Sequence, residues 1–377
     1  GYWPMKIAID ARMLEKNTGL TGVAIVLLET LRALNEIDEI NEYYLISRKP
    51  IQCDIRFKKN WHLINKDFPQ GMVWYNTILV YLLKEYDVQV FWNLNHILPL
   101  TKPRNCKYIV TIHDLALMKF EGIGEKSNII KQRIFVKRSA KKADKIVAVS
   151  EATKKDIVEL LNIDPEKVVV NYNGGATSNL IPGNVDFPQI AKKYSIPGEY
   201  FLFVGTLEPR KNLITLVKAF EQFLDSAKQD IYLVIAGGKG WEFQETQNYI
   251  DKSKWKNKIL QIGYVTNEEK RVLLNNAICF VFPSLYEGFG IPVIEAFQED
   301  TIVITSKVSS LPEVGGDAAL YVDDPLDINS LSHMLEDVVI MDSTIKAGIH
   351  ERIKMQQGVF SWDKTARKMM TVFNEME

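Results

Sequence analysis

Two carboxylates eight positions apart, Glu287 and Glu295, flank the turn Gly288-Phe289-Gly290. An apolar run before the turn predicts a buried strand over Ala277–Phe282, and the residues after it predict the start of a helix. A carboxylate binds sugar hydroxyls, and a helix start offers unpaired N–H groups to an anion. The glycines let the backbone approach such a ligand. The segment therefore suits a sugar that bears a phosphate, although a plain turn with two solvated glutamates would have the same sequence.

Two adjacent cations, Arg210 and Lys211, follow another predicted strand and stand where a helix begins. In that position they would bind a diphosphate through charge-assisted hydrogen bonds. Gly19 and Gly22 follow the first predicted strand, and a glycine turn ahead of a helix lets the backbone approach a phosphate. Without a G-x-G-x-x-G pattern, a dinucleotide site is only weakly indicated. A solvated cap for the cations and ordinary turn residues for the glycines are the alternatives.

His113 and Asp114 end a predicted strand of the first half of the chain. An imidazole at the carboxyl end of a parallel strand lies where such sheets bind ligands. Asp114 would orient His113 or cap the segment that follows. Asn95 and His96 stand at another strand end and are candidates by the same argument. A lone histidine is as often structural as catalytic, so a packed imidazole stays open as the alternative.

Alternating strands and helices are predicted to position these residues, as is typical of parallel sheets. The strands of the first half are Lys6–Asp10, Tyr43–Ser47, Val88–Trp92, Tyr108–Ile112, Lys145–Val149 and Val168–Tyr172. Those of the second half are Tyr200–Val204, Ile231–Ala236, Ile259–Ile262, Ala277–Phe282 and Thr301–Thr305. Residues 174–198 have little periodicity and are predicted to connect the halves. The pattern predicts two doubly wound domains, with ligands at the carboxyl ends of the strands.

Length and composition suit two globular domains, since 377 residues are too many for one ordinary core. The net charge of −1 hides an asymmetry: residues 1–175 carry 26 basic and 20 acidic side chains, and the remainder carries 20 and 27. The three cysteines are scattered without a CxxC pair, which argues against disulfides or zinc and for a reducing compartment. We expect a cytoplasmic protein without a nucleic-acid partner.

Two stretches of the sequence are candidates for contact with a membrane. The apolar run Met72–Leu83 is too short to cross a bilayer and predicts a core helix. No signal peptide is visible, and Met5 is the expected natural start. Residues 126–145 carry eight Lys or Arg against one acidic residue, with isoleucines between them. Such a helix either lies on anionic lipid at the inner face of the membrane or presents a solvated face.

Glu-x7-Glu around Gly-Phe-Gly resembles the retaining glycosyltransferases of family 4, and the resemblance spans nearly the whole chain. It implies the GT-B fold, an α/β architecture of two Rossmann-like doubly wound parallel-sheet domains facing across a crevice. The implied domains are an acceptor domain over 5–175, a nucleotide-sugar donor domain over 176–360, and a helix over 361–377 that crosses back to the first domain.

The resemblance also implies roles on the donor side. Arg210 and Lys211 match the basic pair that binds the donor pyrophosphate, although Thr206 stands where some relatives have an arginine. Glu287 would hold hydroxyls of the transferred sugar, and Glu295 those of the ribose. The backbone around Val265 would meet the nucleotide base.

From the first domain, the resemblance implies that the Gly19 loop closes over the sugar phosphate. His113 would contact the transferred sugar or position the acceptor. Asp323 and Asp324 precede a predicted helix and suit capping, and no Asp-x-Asp is convincing in the donor region. Transfer without a metal or other cofactor is therefore expected.

Lys-Ile-Ala-Ile-Asp-Ala-Arg at 6–12 and Val-Gly-Thr-Leu-Glu-Pro-Arg-Lys-Asn at 204–212 look most like mannosyl- and rhamnosyltransferases of bacterial surface-polysaccharide assembly. This likeness implies transfer of a hexose, with mannose favoured, from GDP-mannose to a hydroxyl of a glycan or lipid-linked acceptor. A nucleotide-sugar epimerase on the same fold and a non-catalytic nucleotide-sugar-binding protein are the alternatives.

Overall fold

Two compact units make up the chain. The computed structural model describes residues 3–16, 21–120, 126–175 and 185–377. The first unit comprises residues 1–174 with 361–377, and the second comprises residues 175–360. Each unit contains one sheet of parallel strands joined by helices.

Within the described residues, seven strands form the sheet of the first unit. They are β1 (Lys6–Asp10), β2 (Glu42–Ser47), β3 (Trp61–Asn65), β4 (Val90–Asn93), β5 (Lys107–Ile112), β6 (Lys145–Ala148) and β7 (Val168–Val170). All pair in parallel, in the order β3-β2-β1-β4-β5-β6-β7. Every residue of β4 is buried, as expected for a strand covered on both faces.

The helices between these strands are α1 (Gly22–Ile37), α2 (Gly71–Asn76), α3 (Ile78–Glu85), α4 (Ala116–Lys119), α5 (Lys126–Lys142) and α6 (Glu151–Leu161), with 3-10 turns at Arg12–Leu14 and Pro165–Lys167. Side-chain caps fix where some of them start. Thr21 accepts a hydrogen bond from Ala24 N–H at the start of α1, and Ser150 accepts one from Thr153 N–H at the start of α6.

Six strands form the sheet of the second unit, as far as its residues are described. They are β8 (Tyr200–Val204), β9 (Tyr232–Ala236), β10 (Ile259–Gly263), β11 (Cys279–Phe282), β12 (Val303–Ser306) and β13 (Leu320–Val322). They are also parallel, in the order β10-β9-β8-β11-β12-β13. The helices are α7 (Phe187–Tyr194), α8 (Leu213–Ala227), α9 (Gln244–Lys252), α10 (Asn267–Asn276), α11 (Ile291–Gln298), α12 (Leu311–Gly315), α13 (Ile328–Ile340) and α14 (Ser343–Gln356), with 3-10 turns at Pro209–Lys211 and Lys256–Lys258.

The last helix, α15 (Trp362–Asn374), belongs to the first unit and packs against α1. Asn171 Nδ2 donates to Thr365 O at 3.0 Å, and Thr365 Oγ1 donates to the carbonyl of Tyr172 at 2.6 Å. The ring of Phe373 meets Trp92 edge-on, with centroids 5.8 Å apart. The carboxyl-terminal helix therefore completes the core of the first unit.

Each sheet has one position where the direction of strand addition reverses. In the first unit the chain adds β2 and β3 on one side of β1 and then places β4 on its other side. In the second unit the chain adds β9 and β10 on one side of β8 and then places β11 on its other side. The loops leaving two such strands diverge, so open α/β sheets bind ligands outside the carboxyl ends at this switch point. Each unit thus has one place where a ligand site is expected.

All strands predicted from sequence are present, with ends displaced by at most about two residues. Two strands were not predicted. Strand β3 lies at the edge of its sheet and alternates buried with partly exposed residues, so it lacks a continuous apolar run. Strand β13 has only three residues.

One helix prediction was wrong, and one helix was not predicted. The single core helix predicted over Met72–Leu83 is divided into α2 and α3 at Thr77, whose φ of −121° and ψ of −71° depart from helical values. The predicted connection 174–198 contains α7, whose start is capped by the side chain of Asp186. Only Ile190 of α7 is buried, which explains why no periodicity was recognised. Within the described ranges, no helix is long and apolar enough to cross a membrane.

Candidate active site

Arg210, Lys211 and Glu287 come together at the switch point of the second sheet. The two cations lie in the 3-10 turn after β8, and the carboxylate lies in the loop after β11. Lys211 Nζ is 2.5 Å from Glu287 Oε1, and Arg210 Nη1 is 3.4 Å from Glu287 Oε2. Residues expected to bind the phosphate and the sugar separately therefore form a single ion cluster.

Serine side chains hold Glu287 in place, and sequence reasoning missed them. Ser284 Oγ donates to Glu287 Oε1 at 2.8 Å, and Glu287 N–H donates to Ser309 Oγ at 2.9 Å. Ser310 Oγ lies 2.9 Å from the Glu287 carbonyl and donates to it. Glu287 is 8% exposed, so its position is fixed by buried hydrogen bonds. A serine near a strand end carries no signal that distinguishes this role from that of an ordinary loop residue.

The charges of the cluster keep Glu287 ionised. Burial by itself raises the pKa of Glu287, but the charges of Lys211 and Arg210, with the hydrogen bonds from Lys211 and Ser284, outweigh it and lower the pKa below its usual value. Arg210 also bonds Glu208 at 2.9 Å and the carbonyl of Tyr286 at 2.8 Å. Two cations thus face two carboxylates, and the cluster is neutral without a ligand.

The Gly288-Phe289-Gly290 turn connects Glu287 to α11. Gly290 has φ +109°, and a Cβ there would lie 3.0 Å from Leu311 Cδ2, so glycine is required. Phe289 is 4% exposed and meets Phe360 edge-on at 5.5 Å, which makes it a core residue. The helix start offers fewer N–H groups than expected, because Pro292 has none and Val293 N–H bonds Gly290 O.

Glu295 and Val265, the predicted nucleotide contacts, are held by neighbouring structure. Glu295 lies on α11, and its Oε2 is 2.8 Å from Nζ of Lys270 on α10. Val265 is 8% exposed and precedes Thr266, which caps α10. Any contact from Val265 to a nucleotide base would therefore come from its backbone. The Lys270 partner could not be predicted, since it depends on how two helices pack.

His113 of the first unit follows β5 and has a defined tautomer. His113 Nε2 lies 2.7 Å from the carbonyl of Leu94, which can only accept, so Nε2 carries the proton and Nδ1 is an acceptor in the neutral ring. His113 N–H donates to His96 Nε2 at 3.2 Å, and the two rings stack at 5.6 Å. His96 itself adopts a positive φ of +64°. The two sequence candidates are therefore partners.

The protonation of this pair follows from its burial. Burial, together with the neighbouring His96, lowers the pKa of His113 to about 4, while the Leu94 carbonyl and Asp114 act in the opposite direction. Burial also lowers the pKa of His96. Near neutral pH His113 is therefore uncharged. Asp114 Oδ1 accepts a hydrogen bond from Ala116 N–H at 2.9 Å, so it caps the segment that follows, one of its two predicted roles.

Of the two glycines predicted for the donor loop, Gly19 lies outside the described residues. Gly22 is the first residue of α1, and a Cβ built on it meets nothing within 4 Å. Its backbone does not require glycine, so Gly22 has the geometry of an ordinary first-turn residue.

The acidic pair Asp323 and Asp324 was expected to cap the helix that follows, and this expectation is wrong, because the side chain of Asp327 caps α13. Asp324 Oδ1 accepts a hydrogen bond from Leu326 N–H at 2.9 Å, and the Asp323 side chain is 91% exposed. Within the described ranges, no group of three or more His, Cys, Asp or Glu side chains is placed to hold a metal ion.

Most of the chain matches two family models of glycosyltransferases and is similar to known mannosyltransferases. Residues 21–178 match the family model described as Glycosyltransferase Family 4, and residues 186–349 match the model described as Glycosyl transferases group 1. O-antigen chain mannosyltransferase B of Escherichia coli is 28% identical over 293 residues, 77% of this chain and 75% of the relative. O-antigen chain mannosyltransferase RfbU of Salmonella typhimurium is 27% identical over 339 residues, 87% of this chain and 89% of the relative.

A solved structure resembles the whole chain. Sucrose-phosphate synthase from Thermosynechococcus elongatus superposes with a TM-score of 0.74 at 18% identity and covers 99% of both chains. At this identity the likeness shows the fold alone.

Proposed function

Because the chain belongs to the GT-B glycosyltransferases that join a Family 4 amino-terminal domain to a group 1 carboxyl-terminal domain, we propose that it is a retaining, metal-independent hexosyltransferase. It moves a hexose from a nucleotide diphosphate sugar to a hydroxyl of a glycan or lipid-linked acceptor. The observation that carries the proposal is the ion cluster of Arg210, Lys211 and Glu287 at the switch point of the second sheet.

The cluster suits a leaving diphosphate. An ammonium group has three donors, and Lys211 uses one of them on Glu287, so phosphate oxygens can take the others. Arg210 adds a second positive charge 3.4 Å from the same carboxylate. As the bond from the sugar to the diphosphate breaks, negative charge grows on the diphosphate, and fixed cations stabilise it more than they stabilise the substrate.

Glu287 would bind the hydroxyls of the transferred sugar. Its lowered pKa keeps it an acceptor at neutral pH, so it takes hydrogen bonds from hydroxyls of the hexose. Lys211 and Ser284 hold Oε1, which leaves lone pairs of the carboxylate for a sugar. Glu295 would hold the ribose while keeping its Lys270 partner. Retention then proceeds by same-face attack through an ion-pair-like transition state, since no separate nucleophile is assigned.

The family resemblance predicts that His113 contacts the transferred sugar. Its neutral ring with an unprotonated Nδ1 would accept a hydrogen bond from a hydroxyl. A histidine whose pKa lies near 4 is a poor general acid at neutral pH, so its role is to bind and not to donate a proton.

Mannose is the favoured sugar and GDP the favoured nucleotide. The names of two relatives, both O-antigen chain mannosyltransferases, support the sugar. The acceptor of a surface polysaccharide is a growing glycan, which is consistent with a glycan or lipid-linked acceptor.

Peripheral contact with the inner face of the membrane is part of this proposal. On α5, Ile130 and Ile134 are 57% and 59% exposed and stand one turn apart on the same face. Exposed Lys131 and Lys137 lie beside them. Exposed isoleucines among lysines suit a surface of anionic lipid, where a lipid-linked acceptor would be presented.

A panel of nucleotide sugars tests the donor side. A ligand at 100 times its dissociation constant adds about 2.7 kcal/mol to the free energy of unfolding, which a thermal shift detects. We expect GDP-mannose to stabilise the protein and Lys211→Met to abolish that shift. Lys218→Met, a similar change on α8 in the same unit, should keep it. Stabilisation by no nucleotide sugar, or equal loss in both variants, would refute donor binding at this cluster.

Turnover separates the alternatives. A transferase releases nucleoside diphosphate in step with glycosylated acceptor, and chelation of divalent metals should leave its rate unchanged. An epimerase would turn the donor over without an acceptor. A binding protein would show the thermal shift without turnover.

A further inference from the structure

Glu208 occupies one edge of the Arg210 guanidinium. Its Oε1 lies 2.9 Å from Arg210 Nη2, a distance typical of a charge-assisted hydrogen bond. The other terminal nitrogen, Nη1, donates to the carbonyl of Tyr286 at 2.8 Å and lies 3.4 Å from Glu287 Oε2. The diphosphate proposed for this cluster binds the same guanidinium. Glu208 therefore holds a position that an oxygen of the diphosphate would take.

The two carboxylates of the cluster are held to different degrees. The Glu287 side chain is 10% exposed, and its Oε1 accepts hydrogen bonds from both Lys211 and Ser284. The Glu208 side chain is 29% exposed and accepts its hydrogen bond from Arg210. Among the described residues, this carboxylate makes no capping hydrogen bond to the 3-10 turn that follows it. Of the two carboxylates, Glu208 is therefore the one that can leave its cation at low cost.

Only the side chain of Glu208 has to move for such an exchange. Its backbone N–H donates to Thr206 O at 3.0 Å, and its carbonyl accepts from Lys211 N–H at 3.0 Å. The carbonyl of Arg210 accepts from Leu285 N–H at 2.9 Å, which ties the turn to the loop after β11. Rotation about the side-chain torsions of Glu208 carries its carboxylate into solvent while this backbone stays in place. Arg210 therefore keeps its position when Glu208 leaves.

The departure of Glu208 changes the charge of the cluster. With Glu208 in place, the charges of Arg210 and Lys211 are balanced by two carboxylates. Without it, Glu287 alone faces the two cations, and the cluster has an excess positive charge. A diphosphate meets this excess only after it displaces Glu208, so the carboxylate and the diphosphate compete for Arg210. This competition explains how a cluster that is neutral before the donor binds can still take up an anion.

We propose that Glu208 is a positioning residue that orients Arg210 before the donor binds, yields this cation to the diphosphate, and recovers it when the nucleoside diphosphate leaves. The inference rests on the proposed function, because it concerns the same diphosphate site. The released diphosphate carries more negative charge than the sugar-linked one, so fixed cations hold the product more tightly than the substrate. The return of Glu208 to Arg210 offsets this difference and speeds product release, a step that limits many enzymes.

Calorimetric titration with GDP and with inorganic pyrophosphate tests the competition. Glu208→Gln keeps the shape of the side chain and an oxygen that accepts from Arg210, but it removes the charge. Both anions should bind this variant about ten-fold more tightly than the wild type. Glu351→Gln removes the same charge from an exposed position on α14 of the same unit and should bind as the wild type does. Unchanged or weaker binding by Glu208→Gln, or an equal gain in Glu351→Gln, would overturn the inference.

Product release provides a second measurement. The dissociation of a fluorescent GDP analogue, followed by stopped flow, should be about ten-fold slower from Glu208→Gln than from the wild type, because no carboxylate returns to Arg210. The KM for GDP-mannose should fall while kcat does not rise. A merely structural role of Glu208 would not produce this split, since a damaged site binds the donor less well. Wild-type dissociation of GDP from the variant, or a raised KM for the donor, would overturn the inference.

The two proposals fail in different ways. If transfer occurs while Glu208→Gln binds GDP and pyrophosphate as the wild type does, the role of Glu208 is wrong and the transferase stands. If pyrophosphate binding is tighter in Glu208→Gln while no hexose is transferred from any nucleotide sugar, the transferase proposal is wrong and the exchange of Glu208 with a diphosphate stands. If neither anion binds the wild type or the variant, the cluster is not a diphosphate site and both proposals are wrong.

Discussion

The pH dependence of stability in the first unit tests the electrostatics assigned to His113. Burial lowers its pKa to about 4 in the folded chain from an ordinary value of 6.5. Between these values the unfolded chain binds a proton that the folded chain does not, so folding is favoured less as the pH falls. The stabilising effect of a neutral His113 is complete above about pH 6.5 and is lost progressively toward pH 4.

The two pKa values set the size of this effect. At pH 5 the free energy of unfolding is about 2 kcal/mol lower than at pH 7, because the unfolded chain binds a proton at this histidine that the folded chain does not. His113→Gln removes the titrating ring. Between pH 7 and pH 5 this variant should therefore lose about 2 kcal/mol less of its free energy of unfolding than the wild type does, whatever its stability at pH 7.

Hydrogen exchange of the β5 amides measures this locally, after correction for the intrinsic exchange rate at each pH. Thr111→Val is the matched control. It removes the acceptor of the hydrogen bond from Trp92 Nε1 and destabilises the same strand, but it keeps His113. Its pH dependence should equal that of the wild type. A His113→Gln variant with the wild-type pH dependence would show that the ring is not held neutral, and the tautomer argument would fail with it.

Three further predictions concern the second unit. Glu287→Gln should lower turnover about 100-fold. The affinity for nucleoside diphosphate, measured by calorimetry, should stay equal or rise, because Lys211 loses its anionic partner. Parallel loss of turnover and of affinity would mean that Glu287 only binds. Arg210→Met should weaken nucleoside diphosphate binding by about 2 kcal/mol, and an unchanged titration would remove Arg210 from the site. Gly237→Ala should destabilise the unit by more than about 3 kcal/mol in thermal melts, since its Cβ would lie 1.8 Å from Gly205 O at φ +136°. Gly238→Ala, with nothing within 4 Å, should cost about 1 kcal/mol or less, and similar melts for the two would contradict the geometry.

Much of the fold could be predicted because buried parallel strands are apolar on both faces. Runs such as Tyr200–Val204 and Cys279–Phe282 stand out in the sequence for that reason. Trp61–Asn65 does not, since an edge strand exposes alternate residues. The break at Thr77 was missed because the residues on both sides of Thr77 are similarly apolar. Only tertiary packing divides this run into two helices.

The candidate site was predictable to the level of strand ends. Arg210, Lys211 and Glu287 were expected at one sheet edge, and they meet there. Their pairing was not expected, because a charged side chain selects its partner through loop geometry that no spacing records. The same holds for the contact of His96 with His113, where His96 has a positive φ although it is not glycine.

The central claim is hexosyl transfer from a nucleotide diphosphate sugar, and a single measurement tests it most directly. The protein is incubated with GDP-mannose, with and without a mannoside acceptor, and NMR follows both the released GDP and the new anomeric proton. The account predicts GDP release that depends on the acceptor and an α-linked product, which retains the configuration of the donor. GDP release without acceptor, a β-linked product, or no transfer from any nucleotide sugar of the panel would contradict it.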